Sequence, residues 1–178
     1  MKKFLLSFTL TVISICAFAQ EEISHANSTY NKSFIAELGG PGILFSANMD
    51  FRFKKNPLGL GGRIGLGFVT ADEQVGDPNN YDYRRRSVIT VPVQLNYLFG
   101  KPNSVNAFEV GFGITYIGKK LDIMDYYENE ATQVFGTASF MYRRMPKDGG
   151  FSWRIGFTPL IANGIVQPFG AVSVGYNF

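Results

Sequence analysis

Ile43-Leu44-Phe45-Ser46-Ala47-Asn48-Met49-Asp50-Phe51-Arg52-Phe53 is the stretch that decides the fold. Every second residue (Ile43, Phe45, Ala47, Met49, Phe51, Phe53) is apolar, and Ser46, Asn48, Asp50 and Arg52 fall between them. Successive side chains of an extended strand point to opposite faces, so this is a strand with one apolar face and one charged face. The same period recurs along the chain. Residues 34–38 put Phe34, Ala36 and Leu38 on the apolar face, against Ile35 and Glu37. Residues 63–70 set Ile64, Leu66 and Phe68 against Arg63, Gly65 and Gly67. Residues 88–99 set Ile89, Val91, Val93, Leu95 and Tyr97 against Thr90, Gln94 and Asn96. Residues 108–117 set Phe108, Val110, Phe112, Ile114 and Tyr116 against Glu109, Gly111, Gly113 and Thr115. Residues 134–143, 151–160 and 169–178 complete a set of eight, with Arg143 and Arg154 on the polar side and Val172, Val174, Tyr176 and Phe178 on the apolar side. No stretch has convincing helical periodicity.

The start of the chain stands apart. Met1-Lys2-Lys3 is basic, residues 4–17 are an almost uncharged apolar run, and Ala17-Phe18-Ala19 is an A-x-A cleavage pattern. Residues 1–19 therefore read as a secretory signal peptide, too short and wrongly flanked for a membrane helix. The one cysteine, Cys16, lies inside it, and Ile15 before it is not the small residue that a lipid-anchor signal wants. Residues 20–32 read as a flexible polar lead-in, and residues 33–178 as one β-domain. Without the signal about 159 residues remain, free of cysteine, and no disulfide framework can hold them. Losing Lys2 and Lys3 takes the formal charge from +3 to +1, so the basic balance does not argue for nucleic acid.

The connections divide by length. Residues 54–59, 100–106 and 145–150 are short and rich in Pro, Gly and Asn, as tight turns require. Residues 71–86 and 119–133 are long and charged; they read as loops at the opposite end, with the tight Gly39-Gly40-Pro41-Gly42 and the intermediate 161–167 on their side. Aromatic residues gather at the short-turn end: Phe51, Phe53, Tyr97, Phe99, Phe108, Tyr142, Phe151, Trp153, Tyr176 and Phe178. The other end is thinner, with Phe45, Phe68, Tyr116 and Phe157.

Signal peptide, eight alternating segments, loop asymmetry and an aromatic C-terminus together resemble the small eight-stranded outer-membrane β-barrels of the OmpA/OmpX type, especially the short barrels widespread in Bacteroidota. The resemblance spans essentially the whole mature chain. It implies an antiparallel up-and-down transmembrane barrel in the cell outer membrane of a Gram-negative bacterium, with turns in the periplasm and long loops outside. The last strand is similar to the C-terminal signal read by the barrel-assembly machinery, with Tyr176 and Phe178 at its aromatic positions. Where that signal usually has glycine, five before the end, this chain has Ser173.

Within such a barrel Glu37, Asp50, Arg52, Arg63, Glu109, Arg143 and Arg154 point inward. An eight-stranded barrel is only wide enough for side chains to fill it, and unpaired ions there cost several kcal/mol. A structural reading makes the seven an internal Arg–carboxylate network; a functional one makes them the selectivity lining of a narrow, porin-like pore. The strand count favours the first. The inward glycines Gly65, Gly67, Gly111, Gly113, Gly156 and Gly175 leave room for long side chains or mark a ligand cavity. Arg84, Arg85, Arg86, Lys119 and Lys120 fall together at the outer rim, where lipopolysaccharide phosphates would lie and where Arg can pair bidentately. The rival reading pairs these cations with Asp72, Glu73, Asp77, Asp82, Asp122 or Asp125. Those acids do not follow a calcium-loop spacing.

Catalysis lacks its base. The one histidine, His25, lies in the lead-in, and there is no Cys or His cluster for a metal. The chain is therefore expected to be non-enzymatic and free of cofactors, with envelope lipids or a membrane protein as partners. The alternatives are a narrow pore for ions or small solutes, and a soluble lipocalin-like barrel with the two faces reversed.

Overall fold

The computed structural model of the protein describes residues 30–77, 80–101, 104–121 and 132–178, with backbone alone for 71–77, 80–86, 119–121 and 132. The signal peptide, Cys16, His25 and most of the lead-in lie outside the described residues.

Alternating segments form β1 (Lys32–Gly39), β2 (Phe45–Arg52), β3 (Gly59–Asp77), β4 (Asn80–Phe99), β5 (Asn106–Leu121), β6 (Thr132–Arg144), β7 (Gly150–Phe157), β8 (Leu160–Ala162), β9 (Ile165–Gln167) and β10 (Gly170–Asn177). From β1 to β7 each strand pairs antiparallel with the next, β8 pairs β9, β7 pairs β10, and β10 pairs β1. The sheet thus closes on itself. β7 with β8 makes one stave of the barrel and β9 with β10 another, so ten strands build eight staves. Both broken staves are interrupted beside a proline, Pro159 and Pro168, which has no N–H to give the ladder. Pro92 does the same inside β4, where the β3–β4 register stops at Ile64↔Val93 and resumes at Gly67↔Thr90.

Alternation puts a polar set in the lumen and an apolar set outside. Ser46, Asn48 and Asp50 are buried, while Phe34, Ile64, Leu66, Ile89, Phe112 and Ile114 are each at least half exposed. This inverts the arrangement of a soluble domain, whose core is apolar, and is the reverse of a lipocalin-like calyx.

The structure departs from the pattern in several places, among them the expected loop 119–133, of which Lys119–Leu121 belong to β5 and Thr132 and Gln133 to β6, while 122–131 lie outside the described residues. Ile43 does not share the outer face: it takes a left-handed backbone (φ 74°) and turns into the lumen, and Leu44 is exposed in its stead. Residues 71–86 are not a loop. β3 and β4 continue as a hairpin out to Asp77↔Asn80. Residues 161–167 are the small β8–β9 hairpin, turned by Asn163 (φ 50°) and Gly164 (φ 80°), an Asn-Gly pair that provides the two left-handed positions of a tight turn. The lead-in ends earlier than expected, because Lys32 opens β1 and Tyr30 is already buried, its hydroxyl donating to the Pro146 carbonyl at 2.5 Å. Burial pushes that hydroxyl above the ordinary phenol range, Asp148 adding to the rise and Arg143 opposing it.

Candidate functional site

The lumen is stacked in three layers. At the short-turn end Leu98, Ala107 and Met145 form a small apolar floor with Leu58 against it. At the hairpin end a larger apolar layer joins Ile43, Val69, Val88, Ile117, Phe135, Leu160 and Ala162. Between them lie the ions.

Each ion arrives there by strand parity. Glu37 comes from β1, Asp50 and Arg52 from β2, Arg63 from β3, Glu109 from β5, Arg143 from β6 and Arg154 from β7, and none of the seven is more than 5% exposed. Asp50 Oδ1 accepts from Arg52 Nη2 at 2.6 Å and from Asn96 Nδ2 at 2.9 Å, and its Oδ2 accepts from Arg143 Nη1 at 2.6 Å. Arg63 Nη2 bridges onward, 3.7 Å from Asp50 and 2.7 Å from Glu109 Oε1. Glu109 also receives Arg154 Nη1 at 2.8 Å and Arg143 Nη1 at 3.3 Å. Arg154 Nη2 donates to Glu37 Oε2, which closes the series. The structure therefore brings all seven into one connected network. β4 adds Gln94 and Asn96 to it, and β10 adds Ser173.

Ser173 explains its own departure from the expected glycine. Its Oγ accepts from Arg154 Nε at 2.6 Å, so a glycine would leave the third guanidinium nitrogen without this partner. The inward glycines leave no ligand cavity at the positions they occupy. A Cβ at Gly65 would lie 2.0 Å from Asn48 Oδ1, and one at Gly111 would lie 2.6 Å from Ser139 Oγ, so neighbouring side chains already fill the space.

The feature that sequence reasoning missed is the first connection. Gly40–Gly42 form a 3-10 turn that folds into the barrel mouth instead of standing outside, and all three residues are buried. Thr90 Oγ1 donates to the Gly42 carbonyl at 3.1 Å and Thr115 Oγ1 donates to the Pro41 carbonyl at 2.8 Å, from two staves of the wall. A buried carbonyl without a partner would cost about 1–3 kcal/mol, so the two threonines allow this turn to lie inside. The only signal was the run of small residues, Gly39-Gly40-Pro41-Gly42. Gly39 adopts φ 73°, and a Cβ there would meet the Gly170 carbonyl at 2.3 Å. Glycine is required by both the dihedral and the space.

The expected lipid-phosphate residues have no described side chains. The backbone places Arg84 across from Glu73, Arg85 across from Asp72 and Arg86 across from Ala71 on the projecting hairpin, and puts Lys119 and Lys120 near the end of β5. Asp122 and Asp125 lie outside the described residues. Tyr176 and Phe178 are exposed on the outer face of the closing stave and its end, 61% and 52%. On the same outer face Phe99, Phe108, Tyr142 and Trp153 form a continuous aromatic series across β4 to β7, with ring centroids 5.4–5.9 Å apart.

No protein family matches the chain, and no curated protein does. Among solved structures it is similar to the N-terminal β-barrel domain of Pseudomonas aeruginosa OprF, with a TM-score of 0.55 at 10% identity, covering 85% of this chain and 98% of that one. The likeness is one of fold: an all-β, closed, eight-stranded antiparallel barrel.

Proposed function

We propose that this chain is an integral outer-membrane barrel of the short kind found in Bacteroidota, non-enzymatic and non-conducting, whose contacts with the envelope are made at its rims. The carrying observation is the inverted polarity. Seven ions sit in the lumen while Leu66, Phe112, Ile89 and Leu38 are each more than 60% exposed on the outside. In water that exterior would be a large apolar patch of the kind that marks a membrane or partner contact. In a bilayer it is the required surface, since closure satisfies every strand edge. The similarity to the OprF barrel fold supports the same reading.

The layered lumen supports the non-conducting reading. A solute crossing the lumen would have to displace the buried turn at residues 40–42, the apolar layer beneath it and then the connected ion network. The membrane fraction is expected to retain the protein through alkaline washing, and planar-bilayer recordings of purified protein should lack sustained conductance steps. Release into the soluble fraction would refute the membrane reading; steady unitary currents would refute the closed lumen and favour the pore.

The proposal extends to lipopolysaccharide phosphates at Arg84, Arg85, Arg86, Lys119 and Lys120, and to delivery by the barrel-assembly machinery through Tyr176 and Phe178. Changing Arg84, Arg85 and Arg86 to Gln should weaken lipopolysaccharide binding by the purified barrel several-fold, as expected for lost charge-assisted contacts. Equal binding by the variant would assign these cations to Asp72 and Glu73 across the hairpin.

A further inference from the structure

Charge at the short-turn end is one-sided. Lys32, Lys54, Lys55, Lys101, Arg144 and Lys147 are all exposed there, and the exposed carboxylate among the described residues at that end is Asp148. The acids nearest in height, Asp50 and Glu109, are buried in the lumen and already engaged by guanidinium groups. That interior holds four Arg against three carboxylates, so it does not offset the rim.

Two of these cations are placed by strand parity on the outer face of the wall and not at the mouth. Lys32 shares its face with Phe34, lies across from Phe51 and exchanges backbone hydrogen bonds with Phe178. Arg144 shares its face with Phe140 and Tyr142 and lies directly across from Trp153. Each is level with an aromatic residue on the neighbouring stave and one outward position past an aromatic on its own, Phe34 or Tyr142, which is roughly 7 Å along the strand at about 3.3 Å per residue. Aromatic rings settle at the headgroup level of a bilayer, and long cationic side chains reach past them toward phosphate while their stems stay on apolar surface. Lys55 and Lys101 continue the collar in the turns after Phe53 and Phe99.

We propose that the short-turn end of the barrel is a collar for anionic phospholipid headgroups, with Lys32 and Arg144 on the wall and Lys55 and Lys101 in the turns contacting their phosphates. The inference rests on the membrane reading and deepens it. An anionic polymer approaching along the barrel axis would meet the turns, whereas Lys32 and Arg144 face the lateral surface where lipids stand.

The chain carries its own reporter, because Trp153 is the one tryptophan and lies across from Arg144. The full chain is refolded into phosphatidylcholine vesicles containing an equal fraction of either phosphatidylglycerol or phosphatidylcholine brominated near the glycerol end of its acyl chains. Trp153 quenching should report about a five-fold enrichment of phosphatidylglycerol, the scale expected for one cation at a headgroup surface. The enrichment should vanish in about 0.5 M NaCl, where screening shortens to a few ångströms. It should also be lost in the Lys32→Gln, Arg144→Gln double variant. If that variant fails to fold, Lys55→Gln with Lys101→Gln should still reduce it. Equal quenching by the two lipids in the unaltered protein overturns the collar while leaving the membrane reading intact. Absence of quenching by either lipid overturns both. Undiminished enrichment in the folded variants, with the same cations found to bind peptidoglycan, would reassign the collar to the cell wall.

Discussion

Replacing Glu109 by Gln is expected to lower the stability of the barrel by about 3–5 kcal/mol, the cost of leaving buried ions without their counter-charge. Glu109 receives three guanidiniums, from Arg63, Arg143 and Arg154. The substitution preserves volume and removes only charge, turning four cations against three carboxylates into four against two. Arg52→Gln is the informative contrast. It brings the count to three against three, and Arg52 stands at the end of the series, its Nη1 spent on the Gly59 and Asn96 carbonyls. Its loss should cost about 1–3 kcal/mol, the penalty for acceptors left unpaired. Coupling Glu109→Gln to Arg63→Gln restores the original excess of one cation, so the double variant should recover part of the single loss by about 0.5–3 kcal/mol. Urea titrations of folding into vesicles, followed by Trp153 fluorescence, measure all four proteins. Equal losses for Glu109→Gln and Arg52→Gln would show that burial of polar groups, and not their charge balance, governs this lumen.

That asymmetry was half legible in the sequence. Period-two alternation assigns Asp50, Arg63, Glu109, Arg143 and Arg154 to one face, because a strand offers only two. It carries no information on height. Arg143 meets Asp50 across 93 residues of chain because ring closure and register bring β6 and β2 to the same level of the lumen. The same limit explains Ser173, whose role depends on Arg154 lying across from it in the β7–β10 pairing. Residues 71–86 were misread for a different reason. Length and charge suggest a loop, yet a hairpin that projects beyond the barrel wall needs only its ladder and no apolar face. Ile43 shows where periodicity itself fails, since one left-handed residue reverses the parity of the chain before it, and an isoleucine gives no warning of that. The Asn163-Gly164 turn was there to be read, as Asn-Gly between apolar neighbours.

The exterior admits an equally sharp expectation. Phe112 lies midway along β5 between Phe108 in the aromatic series and Tyr116 toward the hairpin end, and it is 66% exposed. On a soluble protein such a side chain is a surface residue, and exchanging it for Arg changes stability by no more than about 0.5 kcal/mol. In a bilayer the same position is near the midplane, where Arg costs about 2–4 kcal/mol on the lipid face of a barrel. Phe112→Arg should therefore lose that much in urea titrations in vesicles, while Phe112→Leu, still apolar, should stay close to the unaltered protein. Depth provides the internal control. Phe178→Arg, at the end of the closing stave and beside Lys32, should cost at most about 1 kcal/mol, since the penalty falls away toward the interface. A gradient from Phe112 to Phe178 is a property that neither a water-exposed surface nor a protein partner would produce, because only a bilayer makes the cost of one charge depend on its height along the barrel axis. A flat response across the two sites would mean that the apolar exterior faces something other than lipid, and the closed, ion-filled lumen would then need a different explanation for its inverted polarity.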